Sequence, residues 1–227
     1  MCNVIERIEA WLYRLSKSKS RRNLYDWIAN AATTYDLARA GSVLNIGAGG
    51  EIAKLLQSLG IRNVSIDIDP DRSPDRVASV EDMNCFSDSS FNVVFCIDVL
   101  EHVKAPATAI SEIRRVLGPG GILIGSTPFL LGIHDAPADF WRFTRHGLAI
   151  LFADMETLVL RERNGYFAAI SVLLTRRFVI GTPRQRRMAV VFSPLILSFA
   201  SAIEFFDRIL PGSEATTGYF FVMRNQK

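Results

Sequence analysis

From about residue 43 onward, apolar positions fall in short unbroken blocks, separated by stretches with helical spacing. Val43, Leu44 and Ile46 make the first block, Asn63–Ile68 the second and Arg76–Ser79 a short third. Asn92–Ile97 is wholly apolar after its first residue, as a central parallel strand covered on both faces should be. Further strands are predicted at Ile122–Ser126, Glu156–Arg161 and Thr217–Met223. Between them, helices are predicted at Glu51–Leu59, stopped by Gly60, and at about 105–117, with Ile110, Ile113, Val116 and Leu117 on one side. Ahead of the first strand, Val4, Ile5, Ile8, Trp11, Leu12 and Leu15 repeat at helical spacing. Ser16–Arg22 reads as a polar, basic link, and a second helix is expected from Leu24 to about Arg39, closed by Gly41. This alternation predicts an α/β fold, a Rossmann-like sheet with helices on both faces and ligands at the carboxyl ends of its strands.

The turn after the first strand is rich in glycine: Gly47-Ala48-Gly49-Gly50. Glycine tolerates positive φ and lets a ligand approach bare backbone. The second strand ends in Asp67, and a carboxylate at that tip is where such a sheet holds a ribose through its hydroxyls. The dinucleotide fingerprint fails in detail. Gly47 and Gly49 fit the first two glycines of G-x-G-x-x-G, but Ile52 occupies the third position, which argues against NAD.

Three further motifs follow at tight spacing: Phe91-Asn92-Val93-Val94, Asp98-Val99-Leu100-Glu101-His102-Val103, and Arg115-Val116-Leu117-Gly118-Pro119-Gly120-Gly121. The series resembles class I S-adenosylmethionine (SAM)-dependent methyltransferases of the methyltransferase type 11 group, over roughly residues 40–163 and the final strand. The resemblance implies a seven-stranded sheet, mostly parallel, with an antiparallel last strand. It implies leading helices over residues 1–40 that cover the sheet, and a SAM-binding domain over 41–227. It also implies that Gly47, Ala48 and Gly49 meet the methionine part of SAM, that Asp67 takes the ribose and that Ile68 packs beside the adenine. Asp82 and Met83 fall where the family places groups against the adenine ring, and Asp98 faces the amino-acid part or the methyl. Two positions depart from the family: Asn45 stands where an acid is common, and Glu51 where a further glycine is common. Asn45 can still hydrogen-bond, so altered contacts to the donor's ammonium are expected.

Methyl transfer from a sulfonium is a direct displacement that needs positioning, with no metal and no covalent intermediate. The loop Gly132–Thr144, which includes His134-Asp135-Ala136-Pro137-Ala138-Asp139-Phe140-Trp141-Arg142-Phe143, follows the fifth strand. It resembles a loop of methyltransferases associated with surface-glycan and envelope products. His134 and Asp135 are the catalytic candidates, His134 as general base toward a hydroxyl. Equally, His134 and Asp139 could serve only to fix the loop. Phe140, Trp141 and Phe143 read as loop anchors, and His102 as structural.

Composition changes the picture at one place. The 227 residues are 49% hydrophobic with a formal net charge of +3, and 166–203 contains five arginines (Arg176, Arg177, Arg184, Arg186, Arg187) but no Asp or Glu. The segment at about 165–212 is an insert between the sixth and seventh strands, starting on the edge of the sheet where ligands bind. Its second apolar stretch, Met188–Ile203, has sixteen uncharged residues broken by Pro194, short of the roughly twenty that span a bilayer. Apolar stretches beside arginines suit helices lying in an anionic membrane interface; a solvated helical cap is the alternative. A nucleic-acid role is disfavoured, since Phe178 is the only aromatic among the arginines. Cys2, Cys85 and Cys96 lack metal-ligand spacing, and Glu6, Arg7, Glu9 and Arg14 break any leader-like apolar run. A cytoplasmic protein, peripheral at the inner membrane face, is the expectation. The sequence points to methylation of a hydroxyl on a glycan or lipid-linked envelope precursor. A soluble metabolite or quinone-like lipid is the second reading, and a non-catalytic SAM-binding or membrane-docked partner protein the third.

Overall fold

The computed structural model describes residues 2–179, 182–212 and 214–226. Helices α1 (Cys2–Ser20) and α2 (Leu24–Thr34) precede β1 (Val43–Ile46), α3 (Gly50–Ser58), β2 (Val64–Asp67), β3 (Arg76–Val77) and β4 (Phe91–Ile97). Then come α4 (Pro106–Val116), β5 (Leu117–Pro128), α5 (Arg145–Leu151), β6 (Met155–Glu162), α6 (Tyr166–Val179), α7 (Pro183–Phe205) and β7 (Gly218–Asn225). Packing divides these elements into a sheet unit (Leu24–Pro128, Ile133–Arg161 and the chain from Tyr219) and a helical unit (the chain up to Asn23, Phe129–Gly132 and Glu162–Gly218).

In the sheet unit the strand order is β3-β2-β1-β4-β5-β7-β6. β1 runs parallel to both β2 and β4, β2 to β3, and β4 to β5. The sheet is mixed, mostly parallel with antiparallel pairing at its last strand, as expected from the family resemblance. Strand order reverses between β1 and β4, and ligands of such sheets sit in the crevice outside that point. One face packs Leu24 and Ile28 of α2 and Leu56 of α3 onto Phe95, Ile124 and Val222. Because side chains alternate along a strand, the opposite face carries Val94, Cys96, Leu123 and Phe221, all fully buried. α4 packs against β5 and buries Ile110, Ile113 and Val116.

Gly125 of β5 marks the tightest point of that second core. A Cβ there would overlap the Phe221 ring and the Cys96 carbonyl oxygen. Gly125→Ala is therefore expected to destabilise the fold by about 1–3 kcal/mol, the usual cost of overpacking, readable as a lowered Tm.

Four elements differ from the sequence prediction. The segment read as a link continues α1 to Ser20: Ser16 and Ser20 return their hydroxyls to Tyr13 O and Lys17 O, and Lys17 and Lys19 complement the helix's negative end. The second helix stops at Thr34, because Asp36 turns left-handed (φ 46°) ahead of a short 3-10 turn, Leu37–Arg39. β5 begins at Leu117 and takes in the glycines read as a turn, the register shifting between Phe91 and Val93 to absorb them. The short α5 was not foreseen; its signal is Thr144, whose hydroxyl accepts from Gly147 N.

In the helical unit, α1, α6 and α7 pack on one another. Arg186 of α7 lies 3.6 Å from Glu9 of α1. Glu204 of α7 accepts from Lys19 (2.7 Å), Arg22 (2.6 Å) and Ser171 (2.6 Å). Together these groups hold the polar side of α7 against its neighbours, and they hold Glu204 well into its charged form: burial alone would raise its carboxyl, but the three donors outweigh it. α7 opens with a capping box between Thr182 and Gln185 and carries Pro194 within it.

Candidate active site

The carboxyl ends of β1, β2 and β4 converge on a cavity of about 330 Å³ within the sheet unit. That lies in the range of small-molecule sites. Gly47 and Gly49 have φ of 93° and 77°, left-handed values that explain why the chain needs glycine where β1 turns toward α3. Gly47 lines the cavity. The turn is held from two sides. Asn45, 1% exposed, donates from Nδ2 to Gly47 O (3.0 Å), and Ala48 N donates to Asp67 Oδ2 (2.9 Å).

Asp67 thus joins the tip of β2 to the glycine turn. Its other oxygen accepts from Asp69 N (3.0 Å), and Arg72 stands 3.9 Å from Oδ2. Each carboxylate oxygen carries a second acceptor position, so two vicinal hydroxyls can still be met from the cavity wall. Ile68 beside it is 70% exposed and lines the cavity, an apolar surface suited to a flat base. Asn45 Oδ1 is buried without a hydrogen-bond partner among the described residues. The Asp67 carboxylate and the open Ile68 surface on the cavity wall fit a ligand bearing a ribose and a base, and SAM bears both.

Asp98 sits at the tip of β4 in a left-handed conformation (φ 53°). It is fixed twice by Ser126 of β5: Asp98 N donates to Ser126 O (2.8 Å), and Ser126 Oγ donates to Asp98 Oδ1 (2.9 Å). It lines the cavity, as do Asp67, Ile68 and Gly47. Asp82 and Met83 do not. Met83 is fully buried, its amide bonded to Glu112 and its carbonyl to Arg115, both on α4. That clamp turns the segment so that Ser79, Val80 and Glu81 face the cavity instead. The sequence signal was offset by a few residues, because nothing local reveals where α4 will grip a loop.

On the other wall stand Asp135 and His102. The His102 ring donates from Nδ1 to Ala138 O, which leaves Nε2 as its basic nitrogen, 3.7 Å from Glu101 Oε1. His134 lies edge-on to His102, with ring centroids 4.9 Å apart. Sequence reasoning took His102 as structural; the structure puts it on the cavity wall and His134 behind it. Asp139, whose side chain is fully buried, ties the loop together. It accepts two bonds from Arg142 (2.6 Å each) and one from His134 N (2.8 Å), and lies 3.3 Å from His134 Nδ1. Burial alone would raise the Asp139 carboxyl, but Arg142, the His134 amide and the neighbouring charges pull it down to about 2. Burial lowers His134 from the ordinary histidine value; Asp139 opposes this, while His102 and Arg142 add to it. Phe143 is buried and Trp141 donates from Nε1 to Val103 O (2.9 Å), as loop anchors should. Phe140, by contrast, is exposed.

Glu101, His102 and His134 also place one ligand atom each within 4.8 Å of one another, a donor set able to hold a divalent ion. Arg142 already brings a cation to the Glu101 carboxylate, whose charge raises the arginine further.

Residues 44–125 match the family described as "Methyltransferase domain". A ubiquinone biosynthesis O-methyltransferase from Xanthomonas oryzae pv. oryzae is 34% identical over 120 residues, covering 46% of this chain and 48% of that protein. The chain therefore spans about half the length of the curated relatives it matches. Among solved structures, the cyclase SpnF superposes with a TM-score of 0.60 at 16% identity, over 89% of this chain and 80% of the other. A SAM-dependent methyltransferase from Methanosarcina mazei gives 0.52 at 16% identity, over 85% and 96%. At that identity the superpositions speak for the fold alone. The match gives residues 44–125 the likeness of a methyltransferase domain, and the strand order around them is that of a Rossmann-like sheet.

Proposed function

We propose that the protein transfers the methyl group of SAM to a hydroxyl oxygen of a quinone-like, lipid-soluble acceptor. The observation that carries the SAM half is Asp67, a carboxylate tied to the glycine turn and facing the same cavity as Ile68 and Asp98. The acceptor half is supported by the relatives' naming as ubiquinone biosynthesis O-methyltransferases and by His102 at the wall with His134 behind it. Those relatives favour a quinone over the glycan acceptor suggested by the His134–Thr144 loop.

SAM, when bound, would supply a sulfonium methyl whose carbon the acceptor oxygen attacks, an O–C bond forming as the C–S bond breaks and its electrons return to the thioether sulfur. Asp67 and the glycine turn would hold the donor, and Ile68 would cover its base. Asp98, locked by Ser126, would present its carboxylate toward the amino-acid end. His102, with Nδ1 committed to Ala138 O, has Nε2 available to take the hydroxyl proton, and His134 lies against it.

Burial holds His134 below the ordinary histidine value of about 6.5, so its ring should stay neutral, and place no charge beside His102, until pH falls past that value. An NMR titration of the His134 ring checks this; a midpoint at or above the ordinary value would overturn it. The function itself is tested with isotope-labelled methyl-SAM and a catechol-type quinone precursor, against a lipid-linked glycan acceptor. Label in the phenolic product supports the proposal, and label in the glycan alone overturns its acceptor half. SAM binding without transfer to any acceptor would favour a non-catalytic role, the reading that Asn45 in place of an acid keeps open.

A further inference from the structure

We infer that the exposed face of α7 is a docking surface for a bilayer containing anionic lipid, on which the helix lies in the plane of the interface. Met188, Val191, Phe192, Leu195 and Phe199 are exposed at successive helical positions, Val191 at 72% and Leu195 at 68%. They form one stripe. Phe205 at the helix end and Phe206, Ile209 and Leu210 beyond it continue the apolar run. A run of exposed apolar residues of this length marks a surface that meets something other than water.

The stripe is what the helical unit's own packing leaves out. The opposite side of α7 carries buried Ala200, Arg186 beside Glu9, and Glu204 with its three donors. Of the five arginines, Arg176 reaches Ser20 and Arg177 reaches Gln185, so they serve the unit internally along with Arg186. Arg184 and Arg187 stand exposed at the head of the stripe. With Met188, Val191 and Phe192 they share one open face of α7. Two cations at one end of an apolar strip, with no acid before Glu204, match a phosphate headgroup above acyl chains.

Residues 190–208 are long and apolar enough to cross a membrane. Crossing is disfavoured by Glu204, whose carboxylate and paired cations would have to enter hydrocarbon with it. A helix with one side pinned and the other bare lies on a bilayer.

The test is co-sedimentation of the full chain with vesicles of phosphatidylcholine, with and without phosphatidylglycerol. Binding should require phosphatidylglycerol and weaken about fivefold for each arginine removed, in Arg184→Ala and Arg187→Ala. Leu195→Glu with Phe199→Glu should abolish it while leaving the Tm and SAM affinity unchanged, which separates this result from any failure of the cofactor site. Absence of binding by folded protein, or binding that the glutamate pair leaves intact, overturns the inference. So does a dimer in light scattering that the glutamate pair dissolves, since the stripe would then cover a second copy.

Discussion

Asp67→Ala should weaken SAM binding by about 10- to 150-fold, the equivalent of one charge-assisted hydrogen bond of about 1.5–3 kcal/mol lost to the ribose. The carboxylate has two tasks that the substitution removes together. It presents acceptor positions to the cavity, and it holds Ala48 N, and with it the glycine turn, in place. Asp67→Asn separates them, because its one remaining oxygen can accept from Ala48 N while its amide nitrogen cannot accept from a hydroxyl. Calorimetric titration with SAM and S-adenosylhomocysteine would read both variants. Retention of wild-type affinity in Asp67→Ala, with the fold intact by thermal melting, would show that the ribose is held elsewhere.

A second large effect is expected at Asp139. Its side chain is fully buried while Arg142 keeps 23% exposure, so removing the carboxylate costs up to about 3 kcal/mol, the low end for a buried ion pair, because the guanidinium can partly rehydrate. Asp139→Ala should therefore lower Tm sharply and release the His134 amide, misplacing the histidines and lowering kcat more than it raises KM for SAM. The pH dependence has a defined sign. Since the folded carboxyl lies near 2, below the unfolded value of about 3.9, its stabilising contribution is complete above that value and disappears as pH falls toward 2. Acid denaturation curves of wild type and variant should therefore converge at low pH and diverge above about pH 4. A variant as stable as wild type at neutral pH would mean that Arg142 finds another partner.

The sequence was most legible where one physical demand dominates. β1 and β4 are buried on both faces, so their apolar runs bound them to within a residue, and the turn after β1 requires glycine at Gly47 and Gly49. Asp67, at the tip of its strand, followed from topology. Legibility failed where distant packing decides. Nothing near Asp82 and Met83 announces that Glu112 and Arg115 of α4 will hold that loop by its backbone and turn Glu81 toward the cavity. His102 looked structural because Glu101-His102 sits just past the fourth strand with no local sign of a site; its place on the wall depends on Ala138, thirty-six residues away. The length of α1 was missed because serines and lysines resemble a linker until their hydroxyls are seen returning to the helix backbone.

The strand order carries a consequence for biosynthesis. β7 is formed by residues 218–225, yet it lies inside the sheet between β5 and β6, with Asn225 bonding back to Arg114, Leu117 and Gly118 carbonyls. A ribosome releases these residues after every other strand, so until then the nascent chain holds two unpaired, apolar strand edges apart. The growing polypeptide must be shielded at that gap, and any ribosomal stall before residue 218 leaves β6 cut off from the other five strands.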